Sequence, residues 1–314
     1  MGDGMDNIVF VCNTGEDTIS VIDLNRMVHV EKIALNFGID LKKARTPTLG
    51  PHHMVLDYNR QYLYTANSHS SSISVVDLIQ KKVIDDVAVG SCPSHLQICK
   101  KYKTLYVSNT DSNSVTVVDL ETRAPIAQIP VGAMPHDMKL SHDGQRLYVL
   151  NVDTHSLSVI DTKNNEQERT ITVDLHPYHI ELDKRGRFLY IVHTGFSMIE
   201  RGSITIIDLM NFEVIEKILV GEMPIDVMMD HDGKYLFVVD AERNTMNVVD
   251  IELKKVLLRI GVGRMPGCIT SSSDGKYLLT ANIQDNSLSV INRKNFTVRG
   301  HIKVGLEPNG ILCV

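Results

Sequence analysis

Seven positions, each two residues after a proline, are the chemistry-bearing set of this chain: His53, His95, Asp137, His179, Asp226, Cys268 and Gly310. Their prolines, Pro51, Pro93, Pro135, Pro177, Pro224, Pro266 and Pro308, follow one another at intervals of 42, 42, 42, 47, 42 and 42 residues. Three imidazoles and a carboxylate converging on one point make a ligand set for zinc, iron, copper or manganese. His53, His95 and His179 are therefore read as metal ligands, and Asp137 as a ligand or general base. Asp226 and His193 are read as acting on the substrate or behind the ligands. Cys268 and Gly310, soft and small, would leave the open position that a catalytic ion keeps. The same residue types also suit plainer roles. His or Asp at this place can cap the start of a strand, and a histidine-rich face can be a pH-dependent surface or a metal-free polar pocket.

The elements that must position these residues follow from the period. A repeat this regular is one supersecondary unit used many times. Within 103–144, the run Leu105–Asn109 is β-branched and aromatic, Asp111–Asn113 make a turn, Ser114–Leu120 alternates apolar with polar residues, and Ile126–Ile129 follows Glu121–Arg123. With the proline phrase that makes four antiparallel strands per repeat, the unit of a β-propeller blade. The residue three after each proline is always apolar: Met54, Leu96, Met138, Ile180, Val227, Ile269 and Ile311. The next one is mixed, with Gln97, Lys139 and Glu181. By strand alternation, the His/Asp position shares its side with the polar residues and lines a central channel.

The second and third runs carry a family resemblance. LYTAN at 63, LYVSN at 105, LYVLN at 147, LYIVH at 189, LFVVD at 236 and LLTAN at 278 are each followed by a partner run. The partners are ISVVDL, VTVVDL, LSVIDT, ITIIDL, MNVVDI and LSVINR. Across nearly the whole length the chain resembles the YVTN family of β-propellers, which implies the fold and leaves the function open. In architecture alone it is similar to seven-bladed propellers with an axial histidine cluster. Nitrous oxide reductase with copper, carotenoid oxygenases with iron and virginiamycin B lyase with magnesium are of that kind. That likeness implies a metal without choosing the reaction.

The expected fold is all-β: one seven-bladed propeller over residues 1–314, four antiparallel strands to a blade. The tail Ile311–Val314 would complete the blade opened by NIVFVCN, so that no sheet edge is left at the seam. Two insertions break the period, 36–50 and 195–202, and both are expected on the channel-mouth face as a lid. Lys42, Lys43 and Arg45 in the first, with Arg201 in the second, could meet an anionic substrate. His193 stands where the other blades have Asn or Asp. Of 13 histidines, His29, His142, His231 and His301 fall away from that face. His52, His69, His136, His155 and His176 fall on it but read as surface residues or residues behind the ligands. Cys268 reads as a ligand or bystander before a nucleophile, and Cys92 as structural. Period-spaced Asp77, Asp119, Asp161, Asp208 and Asp250 belong to turns.

Bulk properties exclude several classes. The net charge of −6 gives no basic face for nucleic acid. No run approaches the ~20 apolar residues of a membrane span. The opening MGDGMDNIVFVCN has no basic segment before an apolar stretch, so no secretion signal is read. Five cysteines without a CxxC pair fit a reducing compartment, and cytoplasm is expected. No phosphate loop, dinucleotide fingerprint or serine-nucleophile motif occurs. The expectation is a metal-dependent enzyme, oxidoreductase or lyase, acting on a small and possibly anionic molecule, as a monomer or weak homo-oligomer. The alternative is a non-catalytic scaffold that binds a protein or small molecule on its histidine face.

Overall fold

The computed structural model describes residues 7–36, 48–57, 59, 61–195 and 201–314. They form seven four-stranded antiparallel sheets. The inner strands meet in a closed ring, each touching the inner strand of the blade on either side. In blades two to seven the chain runs outward from the axis, strand by strand. In the first blade the inner strand is the last of the chain: Pro308–Cys313 pairs with Ile8–Asn13, with Val9 opposite Cys313 and Val11 opposite Ile311. The seam is thus zipped by main-chain hydrogen bonds. No helix of the structure is long and apolar enough to cross a membrane.

Strand alternation explains the apolar runs. Successive residues of a second strand face opposite neighbours, so both kinds are buried. Leu63 packs with Phe10 and Ile33 of the first blade, while Tyr64 beside it packs with Leu96 and Leu105 of the third. Hydrophobic clusters of this type fill the gaps between blades and make the ring rigid. The periodic aspartates close the turns, as expected. Asp119 Oδ1 accepts the Glu121 and Thr122 N–H groups at 2.9 and 2.7 Å, and Asp77 does the same for Ile79 and Gln80. At the other end, Gly144 takes the left-handed conformation (φ 66°) its turn requires.

One feature of the inner strands is absent from a simple alternation. Immediately after the proline, the register of each slips by one residue against its second strand. Pro51 faces Asn67, for example, but His53 faces Ala66. The same slip occurs in all seven blades. A one-residue bulge re-aims the side chains around it. Here it brings the first and second residues after the proline to the same place.

Candidate metal centre

Because of the bulge, His52 and His136, one residue after their prolines, join His53, His95 and His179, two residues after theirs. His95 is the hub. Its ring centroid lies 4.5 Å from His53, 4.8 Å from His136, 4.8 Å from His179 and 5.5 Å from His52. One nitrogen each of His95, His136 and His179 fall within 4.8 Å of one another. The structure thus groups His136, which strand alternation had turned away, with two of the expected ligands. His53 packs against His95 outside that triplet, and Asp137 stands behind it. The missed signal was the recurrence of histidine one residue after the proline in the second and fourth blades. A strict period of two hides it.

Two sets of interblade hydrogen bonds hold these residues. In one, the residue after the proline reaches the same carbonyl one blade on. His52 Nδ1 meets Ser94 O at 3.2 Å, Ser94 Oγ donates to His136 O at 3.0 Å, and His136 Nδ1 meets Tyr178 O at 3.2 Å. A ring that donates through Nδ1 keeps its lone pair on Nε2. The other set caps a backbone N–H of the next blade. Leu96 donates to His53 Nδ1 at 3.3 Å, Ile180 to Asp137 Oδ2 at 2.9 Å, and Ile269 to Asp226 Oδ2 at 2.8 Å. Capping and convergence are therefore both present in the same side chains. Ser108 ties two of the triplet together, accepting the His95 N–H at 3.0 Å and donating to His136 O at 2.6 Å. Tyr178 stacks on the His136 ring at 4.1 Å.

The charges sort the histidines further. His179 Nδ1 sits 3.2 Å from Asp137 Oδ2 and 3.0 Å from Asp226 Oδ1. Burial pushes its pKa down, but the two carboxylates outweigh it and raise it to about 10. Burial pushes Asp137 up, and the His179 charge and the Ile180 N–H reverse that, holding it at about 2. The other rings of the cluster are pushed towards the neutral form. Burial lowers His52 and His53 to about 4, and burial plus neighbouring imidazoles takes His95 and His136 well below the usual range. His95 is 3% exposed, and its Nδ1 is buried with no hydrogen-bond partner among the described residues. Such a group costs ~1–3 kcal/mol unless something binds it.

A cavity of about 230 Å³ opens at this end of the channel, lined by His52, His53, His95, Asp137, His179, Asp226 and Cys268 among others. Two residues further along their strands, the Lys139–Glu181 ion pair (2.8 Å) lines it too. Burial and the Asp226 carboxylate push the Cys268 thiol well above its usual range, so it is no ready nucleophile. Gly310 does not open space, because a Cβ there would meet His52 O at 2.6 Å and His53 Cα at 3.0 Å. His193 lies apart. It ends its strand where Asn67 elsewhere grips Ser72 and Ser74; its Nδ1 meets Leu175 O at 3.0 Å and its buried Nε2 has no partner among the described residues. Burial lowers it to about 4. His155 and His176 form a separate edge-on pair, 5.2 Å apart.

Of the two insertions, residues 37–47 and 196–200 lie outside the described residues, and Lys42, Lys43 and Arg45 with them. Residues 48–50 lead into Pro51 and are held by the buried Asp17 carboxylate, which accepts the Thr48, Leu49 and Gly50 N–H groups. His193, which ends the strand before the second insertion, pairs with Pro177. Arg201 is exposed.

Comparison with known proteins agrees with this architecture. The family model described as YNCE-like beta-propeller matches residues 38–267, and the chain belongs to that family. No curated protein is significantly similar in sequence. Among solved structures, Kuenenia stuttgartiensis hydrazine synthase superposes with a TM-score of 0.76 at 23% identity, covering 88% of this chain and 92% of that one. Dihydro-heme d1 dehydrogenase NirN in complex with DHE gives 0.71 at 14% identity, over 99% and 76%. A functionally unknown protein from Desulfotomaculum acetoxidans gives 0.80 at 13% identity, over 98% and 99%. At these identities the likeness is one of fold.

Proposed function

We propose that this YNCE-like propeller binds one divalent transition metal (iron, copper, zinc or manganese) through His95, His136 and His179, and acts there on a small molecule. The observation that carries the reading is the buried triplet, three imidazoles with ligand atoms within 4.8 Å of one another. The orphaned Nδ1 of His95 fits it, since a bound ion relieves its desolvation. So does the carboxylate behind His179. Metal-ligating histidines as a rule donate their other N–H to a carboxylate or carbonyl, which fixes the ring and raises its basicity. His179 does so to Asp137 and Asp226, and His136 to Tyr178 O. Asp137 and Asp226 then serve to orient the ring and hold the proton on Nδ1; the ion would take the place of the second proton, on Nε2, that the two carboxylates favour in its absence.

When bound, the ion supplies Lewis acidity or a site for electron transfer, which fits oxidoreductase or lyase chemistry. The chain's own part is to keep His52 and His136 in one tautomer and to fix His95 against His136 through Ser108. The test is elemental analysis of the wild type beside His95→Ala and His136→Ala. One ion per wild-type chain and none in either variant is the expected result. Absence of metal from the wild type after reconstitution with all four ions overturns the reading. Retention in His136→Ala overturns this choice of ligands.

A further inference from the structure

Among the histidines lining the cavity whose Nδ1 meets a backbone group, His53 differs from the rest. His52 and His136 each direct Nδ1 at a carbonyl oxygen, so Nδ1 carries the proton and Nε2 the lone pair. His53 does the reverse. Its Nδ1 accepts the Leu96 N–H at 3.3 Å. A ring nitrogen that accepts holds no proton, so the proton of His53 is on Nε2. That atom is a donor and not a ligand. The His53 ring stands 4.5 Å from His95, on the wall of the same cavity, and outside the triplet that could hold an ion.

We propose that His53 forms an anion subsite beside the metal centre: its Nε2–H donates to a small anion, or to the anionic atom of a substrate, lodged next to the ion. His53 is then a specificity-determining residue for anionic ligands, a different role from the ligand role its position suggested. The proposal rests on the reading of His95, His136 and His179 as the metal centre. The size of the cavity, about 230 Å³, restricts the ligand to a small molecule or one end of a larger one.

The molecule supplies its own control for the test. Two blades cap the same backbone N–H with a carboxylate oxygen, Asp137 for Ile180 and Asp226 for Ile269. In His53→Asn the side-chain oxygen can cap Leu96 in that way, while the imidazole donor is gone. Wild type and His53→Asn are loaded with copper(II) and titrated with azide, followed by the charge-transfer absorption. The expected result is one copper and an unchanged Tm in both, with azide bound at least about tenfold more weakly by the variant, the loss of one hydrogen bond to a charged group. Unchanged azide affinity with copper retained overturns the subsite. Loss of copper from the variant overturns it too, because His53 would then be a ligand. Failure of the wild type to hold copper, zinc, iron or manganese is the separate failure of the metal reading, and the subsite falls with it. Should the variant fold poorly, the nitrogen-15 shifts of wild-type His53 decide. A proton on Nε2 supports the proposal, and a proton on Nδ1 overturns it.

Discussion

Blades two to five and the arc made by blades six, seven and one share the same inner strand, the same proline and the same one-residue slip. Their side chains differ. The first arc presents His52 with His53, Ser94 with His95, His136 with Asp137, and Tyr178 with His179. The second presents Ile225 with Asp226, Gly267 with Cys268, and Asn309 with Gly310. In the second arc the space is used for packing. Ile225 is 8% exposed, and a Cβ at Gly267 would meet Ile283 Cδ1 at 2.6 Å. The backbone thus offers the same pair of positions seven times; the histidines occupy them on one side of the axis, and Asp226 alone of the second arc reaches across to His179. Gly310 connects the two arcs, since its missing side chain is what admits the His52 and His53 backbone.

Acid should break this symmetry with the largest effect. Burial depresses His52 and His53 to about 4, below the ~6.5 of an unfolded histidine. The unfolded chain therefore binds more protons between those values, and stability rises with pH across the window. Their contribution is present above pH 6.5 and lost as pH falls towards 4, on the order of 3 kcal/mol for each ring. His179 has the opposite sign. Raised to about 10, it stabilises below 6.5 and loses that as pH climbs through 10. Asp137, at about 2, contributes until pH falls through 2. Hydrogen exchange, corrected for intrinsic rates, should lose protection between pH 7 and 4.5 first in Pro51–Asp57 and Pro93–Cys99. Pro266–Ser271, with no histidine, should keep it. Equal losses in all three strands would mean that the arcs are energetically one.

A smaller effect is expected from Gly310→Ala. The added methyl would press on the His52 carbonyl at 2.6 Å, and overpacking of this kind costs ~1–3 kcal/mol. Urea unfolding should show that loss, with azide affinity of the copper form falling as His53 is displaced. A loss of stability with azide affinity unchanged would separate the packing arc from the chemical one more sharply than the contacts suggest.

The period made the fold legible. Seven prolines at near-constant spacing and paired runs such as LYVSN with VTVVDL state strand length, turn position and blade number directly. The closing strand was readable because GILCV is a first strand with no sheet of its own. The gathering of His95 and His179 was readable, because the residue two after each proline changes from blade to blade and so is not fixed by the repeat. His136 was not. The bulge that turns it inward is absent from a strict period of two, so alternation sets its side chain on the other side of the strand from the channel. His193 lies at the end of its strand, where its Nδ1 meets Leu175 O, and its departure from Asn changes the bonding there. Tautomers, which separate His53 from His136, depend on which backbone group each ring meets and have no trace in residue type.

The smallest predicted effect tests the finest part of the comparison. The position held by Ser108 is apolar or a thiol in the other six blades: Cys12, Ala66, Leu150, Val192, Val239 and Ala281. A hydroxyl occurs there only between His95 and His136, accepting from the one backbone and donating to the other. Ser108→Ala keeps every ligand and removes this brace, leaving the His95 N–H short of a partner. A net loss of about 1 kcal/mol in stability is expected. Metal affinity, measured by competition with a chelator, should fall by about tenfold, the lower end of what supporting residues behind metal ligands contribute. The reference change is Ala281→Ser in the seventh blade, which adds the same hydroxyl to the packing arc and should leave metal affinity where it was. Equal responses to the two substitutions would show that the hydroxyl acts on the ring as a whole. A response to Ser108→Ala alone would place the brace within the centre, as the hydrogen bonds to His95 and His136 imply.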